Sequence, residues 1–104
     1  MSAGHDQFWA VAEPLLALPG VSKSTMMGFP CVRRDGKYFA SVNKDGSSMI
    51  IKLPEPRVLD LIAEGVGDSF APAGRVFREW LSIPTEKSGT WSTFLEEAHA
   101  FAGG

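Results

Sequence analysis

Cysteine occurs once in this sequence, at Cys31, so no disulfide can form within the chain and thiolates cannot assemble a zinc site. Histidine is almost as scarce. His5 and His99 lie near opposite ends, neither has a second ligand at metal-binding spacing, and both read as surface residues. Long apolar runs are missing too: none approaches the roughly 20 residues a membrane helix needs. The stretch from Met1 to Asp6 lacks the basic segment and apolar core of a signal peptide. One thiol and no export signal make a reducing cytoplasm the expected setting. Repeats, low-complexity tracts and linkers are also absent. The 104 residues therefore read as one domain, 1–104, around one core.

Net charge is only −2, but its distribution is uneven. Residues 21–57 carry seven basic and three acidic groups, a surplus of four positive charges, whereas both flanking segments are acidic. A basic middle between acidic ends suggests one surface with a preferred partner.

The first segment, Asp6 to Leu18, spaces Phe8, Val11, Ala12, Leu15 and Leu18 as a helix. Asp6 is placed to cap it or sit in its first turn, and Pro14 predicts a kink or restart. A strand over Ser22 to Met27 is expected next. Then Asp35-Gly36 and Asp45-Gly46 each separate β-rich runs, the signal of two-residue hairpins.

Taken as tight turns, these pairs fix a register. Arg34 falls opposite Lys37, Val32 opposite Phe39 and Cys31 opposite Ala40. Lys44 falls opposite Ser47, Val42 opposite Met49, Ala40 opposite Ile51 and Tyr38 opposite Leu53. Alternation then collects Phe29, Cys31, Tyr38, Ala40, Val42, Met49, Ile51 and Leu53 on a core face. The other face carries Val32, Arg34, Lys37, Phe39, Ser41, Asn43, Ser48, Ile50 and Lys52. Beyond Pro54 a short helix is expected, with Val58, Leu61 and Ile62 inward and Gly65 past its end. Residues 65–74 read as a loop, Arg75 to Ile83 as a strand, and the segment to Ala102 as a helix with Trp91, Phe94, Leu95, Ala98 and Phe101 on one side. The expectation is an α+β domain of order α-β-β-β-β-α-β-α, an antiparallel meander packed by its first and last helices.

Catalytic constellations do not assemble. Cys31 lies on the expected core face without a base to activate it. Glu96 and Glu97 are adjacent on a helix and diverge. Gly65-Val66-Gly67 follows a helix rather than a strand and lacks the Lys-Ser/Thr of a phosphate loop. Trp9, Trp80 and Trp91 read as core anchors. No enzyme activity, cofactor or metal is expected.

What remains is the second sheet face, where Arg34, Lys37 and Lys52 surround Phe39 and Ile50. Open sheets that bind single strands combine cations for phosphate with aromatics for stacking. The competing reading has Val32, Phe39 and Ile50 covered by a helix or a second subunit, the cationic stems packing beside them. Arg75 and Arg78 form a lesser basic feature. In a strand they face opposite ways, and pairing with Asp68 or Glu79 competes with ligand contact.

Leu53-Pro54, Arg57-Val58, Leu61-Ile62, Phe70-Ala71-Pro72, Gly74-Arg75-Val76-Phe77-Arg78-Glu79-Trp80 and Ile83-Pro84 resemble the MmcQ/YjbR-like family. Gly28-Phe29-Pro30, Asp35-Gly36-Lys37-Tyr38-Phe39-Ala40 and Ile51-Lys52-Leu53 are similar to the N-terminal domain of TfoX/Sxy-type competence regulators. The resemblance spans about Leu15 to Phe101. It implies a double-wing α+β fold and a DNA-binding, transcription-related role.

The sequence thus leads to a small non-enzymatic regulatory module contacting nucleic acid weakly and salt-sensitively. Its expected binding residues are Arg34, Lys37, Phe39 and Lys52, with Arg75 and Arg78. The alternatives are a protein-interaction or homodimerisation domain using the same face, and an enzyme or small-molecule carrier using a pocket near Arg75 and Trp80. No membrane partner is expected.

Overall fold

The computed structural model describes residues 3–26, 29–43, 45–71 and 74–103. Helix α1, Ala3–Leu16, buries Phe8, Ala12 and Leu15 along one stripe. Asp6 sits in its first turn. Pro14 does not interrupt the helix, which ends at Leu16. Pro14 and Ala10, one turn earlier, are both exposed, so water can solvate the carbonyl that loses its donor.

An antiparallel meander follows: β1 (Val21–Met26), β2 (Phe29–Arg34), β3 (Lys37–Val42) and β4 (Ser48–Lys52). At the first hairpin Asp35 and Gly36 take φ of 51° and 83°, the left-handed pair that a type I′ turn demands. The second turn is wider than expected. Gly46 N–H donates to the Asn43 carbonyl at 2.9 Å, and Asn43 N–H donates to the Ser48 carbonyl at 3.1 Å. The Lys44–Ser47 pair lies outside the described residues, but Val42 faces Met49 and Ala40 faces Ile51, as expected. A Cβ at Gly4 would collide with the Gly46 carbonyl, so glycine lets the start of α1 dock on this turn.

The main departure lies between β2 and β3. Arg34 faces Lys37, but Arg33 then faces Tyr38 and Val32 faces Ala40, leaving Phe39 as an extra residue. This β-bulge lets Phe39 and Ala40 point to the same side. Val32 and Phe39 thereby join Val42, Met49, Ile51 and Leu53 in the core, while Cys31 stands outside that cluster, opposite Ser41. The one-residue shift overturns the expected faces of β2 and of the first half of β3. Its cause is burial. Covering Val32 and Phe39 is worth about 1.5–3 kcal/mol each, against about 0.5–1.5 kcal/mol for a ladder hydrogen bond.

Helix α2, Glu55–Ala63, starts after Pro54. It closes on Gly65 at φ 80°, whose N–H donates to Ile62 at 3.0 Å while Val66 N–H reaches Leu61 at 2.9 Å. The expected loop contains a short strand, β5 (Asp68–Phe70), paired antiparallel with β6 (Phe77–Pro84). Three residues are too few to show alternation in sequence. Strand β6 begins at Phe77, so Arg75 and Val76 precede it. A 3-10 segment, Thr85–Thr90, leads into α3, Trp91–Gly103.

The elements form a six-stranded sheet of order β1-β2-β3-β4-β6-β5 within a single α+β domain, as the sequence led one to expect, with β5 added. Phe8, Ala12 and Leu15 of α1, Val58 and Leu61 of α2, and Trp91, Leu95 and Ala98 of α3 share one core cluster. All three described helices therefore pack on the same sheet face. Trp91 is buried as an anchor, its indole N–H donating to the Ile83 carbonyl at 3.2 Å. Arg57 ties α2 to α3 through a two-pronged contact with Glu97, at 2.7 and 3.1 Å. Across the opposite face run Ser24, Cys31, Ser41, Ile50 and Ser82, one from each of β1, β2, β3, β4 and β6. Among the described residues no helix is long and apolar enough to cross a membrane.

Candidate nucleic-acid interface

The bulge separates the residues expected to bind together. Arg34 turns under the C-terminal end of α3, where Nη1 donates to the His99 carbonyl at 2.9 Å. A guanidinium there satisfies a terminal carbonyl and complements the negative end of the helix dipole. Gly103 accommodates it, since a Cβ at that position would collide with the guanidinium. Phe39 is fully buried and meets the His99 ring edge-on, with centroids 5.6 Å apart. Neither residue is presented to a ligand in the way the sequence suggested: α3 of the same chain covers this strip. The expectation of surface histidines fails as well. His99 is half-buried here, and His5 Nε2 donates to the Asn43 carbonyl at 2.8 Å. Burial pushes the His99 imidazole below its ordinary pKa, and the positive charge of Arg34 adds to that effect.

Lys37 and Lys52 are brought together. They line a cleft of about 510 Å³ where the β2–β3 turn, the end of β4, β6 and the last turn of α3 meet. Tyr38, Trp80 and Phe101 line it too, and buried Phe39 backs it. Trp80 stands directly across from Lys52 in the β4–β6 ladder, a spacing at which side chains on neighbouring strands interact. Among the described residues neither lysine enters an ion pair. The guanidinium of Arg33 lies 5.6 Å from the Tyr38 ring centroid and extends the cationic edge past the cleft.

Arg75 and Arg78 remain outside. Arg75 rests over Phe77 at 5.5 Å in the segment before β6. Arg78 reaches neither Asp68 nor Glu79 in an ion pair; it approaches Glu55 at 3.9 Å, with its side chain 78% exposed, a pairing worth little in water. It borders a smaller groove of about 170 Å³ between α2 and β6, which Arg75 does not line. The two arginines thus do not converge on a pocket.

Another cavity of similar size, about 520 Å³, lies between α1 and β1 and includes Asp6, Glu13 and Trp9. Its one lysine, Lys23, is stacked 4.9 Å from the Trp9 ring centroid. Two acids and an engaged cation make this cavity a poor receptor for an anion. The Lys37–Lys52 cleft has the opposite character. It offers two ammonium groups and three aromatic surfaces, which suits an anion attached to a flat ring system.

Groups for covalent chemistry are not gathered in the cleft. Burial pushes the Cys31 thiol up, more than Arg33 and the Ser24 hydroxyl pull it down. The thiol is thereby kept protonated and weakly nucleophilic. Among the described residues no group of three or more His, Cys, Asp or Glu could hold a metal ion.

Tyr38 and Phe101 are not among the binding residues the sequence suggests, and Trp80 enters there only beside Arg75 in the small-molecule alternative. Tyr38 was assigned to the core because the bulge is invisible in the turn pattern. Trp80 and Phe101 were read as core residues, yet both are only half-buried. A lysine directly across a ladder from a tryptophan is a signal that pairing β4 with β6 in the sequence would have exposed. Compared with known proteins, the chain matches no protein family, no curated protein and no solved structure.

Proposed function

We propose that this chain is a small non-enzymatic regulatory module that contacts nucleic acid through the Lys37–Lys52 cleft, in keeping with the MmcQ/YjbR-like resemblance of its sequence. The observation that carries the reading is the junction of two lysines, neither in an ion pair among the described residues, with Tyr38, Trp80 and Phe101 around one cleft of about 510 Å³. Lysine ammonium groups hold phosphates as point charges, and aromatic surfaces accept bases. The basic surplus of residues 21–57 supports the reading, because both lysines and Arg33 come from that segment.

The test is fluorescence anisotropy of labelled single- and double-stranded DNA titrated with the protein at about 50 and 200 mM salt. Two phosphate contacts predict a log–log salt slope of about −1.4 to −1.8, close to a tenfold loss over that range. Absence of binding at the lower salt, with protein well above roughly 100 μM, rejects the proposal.

A further inference from the structure

We infer that the cleft takes an unpaired nucleotide of a single strand, its base laid against Trp80 and its phosphate held by Lys37 and Lys52. This rests on the nucleic-acid reading above and narrows it to one class of ligand.

The volume of the cleft, about 510 Å³, falls within the roughly 300–1,000 Å³ of sites that enclose a small ligand. Such a concavity can receive a ring system. A duplex, whose bases are stacked and paired inside, presents its phosphates and groove edges and cannot insert a base without unstacking it, at a cost of a few kcal/mol. The floor is firm: Phe39 is fully buried and held against His99. Trp80 is fixed by its place in the ladder opposite Lys52. A base on the indole therefore leaves its own phosphate near an ammonium group. The Tyr38 ring already carries Arg33. Trp80 and Phe101 are thus the aromatic surfaces left for a base.

Charge outside the cleft argues in the same direction. Proteins that hold a duplex strongly neutralise some six to ten phosphates. The cleft and its edge offer Lys37, Lys52 and Arg33, whereas residues 58–104 carry seven acidic groups against three basic ones. The cations of the cleft fall short of that number, whereas seating one nucleotide of a flexible strand needs no more than they supply.

The experiment compares three competitors of equal length on the unmodified protein: oligothymidylate, a duplex, and an abasic strand with phosphates but no bases. The expected result is oligothymidylate binding at least about fivefold tighter than either other competitor, the lower end of what one stacked base contributes. Trp80→Ala should lower oligothymidylate affinity by about 5- to 150-fold and Trp80→Phe by much less. Circular dichroism and thermal unfolding establish that both variants are folded, and the wild-type comparison decides the matter if one is not. Equal or tighter binding of the abasic strand or the duplex would overturn the stacked-base inference while leaving nucleic-acid contact standing. No binding of any competitor at low salt would overturn both.

Discussion

Arg34 and His99 are bound at two points: Nη1 of Arg34 donates to the His99 carbonyl at 2.9 Å and lies 3.5 Å from the imidazole Nδ1. The positive guanidinium favours a neutral ring, and burial favours it further. Among the described residues the buried His99 Nε2 has no hydrogen-bond partner, and Phe39 covers the ring edge-on. The contact joins β2 to α3, and it makes the last helix sensitive to protonation.

The first prediction concerns pH. The folded-state pKa of His99 lies below its unfolded value, so between the two values the unfolded chain binds more protons. Its contribution to stability is complete above the ordinary imidazole value of about 6.5 and is lost progressively as pH falls below it. Urea midpoints measured on either side of that value should therefore fall on acidification. His99→Gln should remove this part of the dependence, and an unchanged profile in that variant would assign the effect elsewhere.

Phe39 provides the second prediction. It is fully buried between the bulged strand and α3, so Phe39→Ala should cost about 3–5 kcal/mol in chemical denaturation. A phenylalanine on an exposed binding face would cost far less on truncation. A loss below about 1 kcal/mol would contradict the bulged register.

That residue also marks the limit of what the sequence discloses. The two Asp-Gly pairs located both hairpins and the Arg34–Lys37 and Val42–Met49 pairings, and apolar spacing placed the helices around them, because both signals are local. The bulge has no local marker. It brings Val32 and Phe39 onto the face already held by Ala40, Val42, Met49 and Ile51, and the deciding term is the apolar surface that α3 covers. The candidate site divides along the same line. Lys37 and Lys52 could be located from the turns, but Tyr38 changed faces with the bulge, and Arg34 was drawn to the helix end it satisfies. Trp80 and Phe101 enter the cleft only once β6 and α3 are docked beside β4.

The first hairpin offers a backbone test. Gly36 has φ of 83°, and a Cβ built there meets no atom within 4 Å. Gly36→Ala should therefore express backbone strain alone, destabilising by about 1–2 kcal/mol. Gly4→Ala should act by collision with the Gly46 carbonyl instead. Hydrogen exchange would show the difference: loosening centred on the turn for the first, and on α1 and the β3–β4 turn for the second.

The last prediction sets the cleft against the arginines outside it. Lys37→Glu with Lys52→Glu should reduce DNA binding by about tenfold or more and flatten its salt dependence, because two phosphate contacts are lost. Lys37 is exposed and Lys52 half-buried, and neither forms an ion pair among the described residues, so the folded state should lose little stability. Arg75→Glu with Arg78→Glu makes the same change in net charge in a region the cleft does not include. If binding depends on where the cations stand, this second pair should leave the affinity nearly unchanged and retain the salt slope. If binding follows net charge alone, the arginine pair should also weaken it substantially. Anisotropy titrations of both double variants at one salt concentration separate the two cases, and comparable losses would dismiss the cleft as the site.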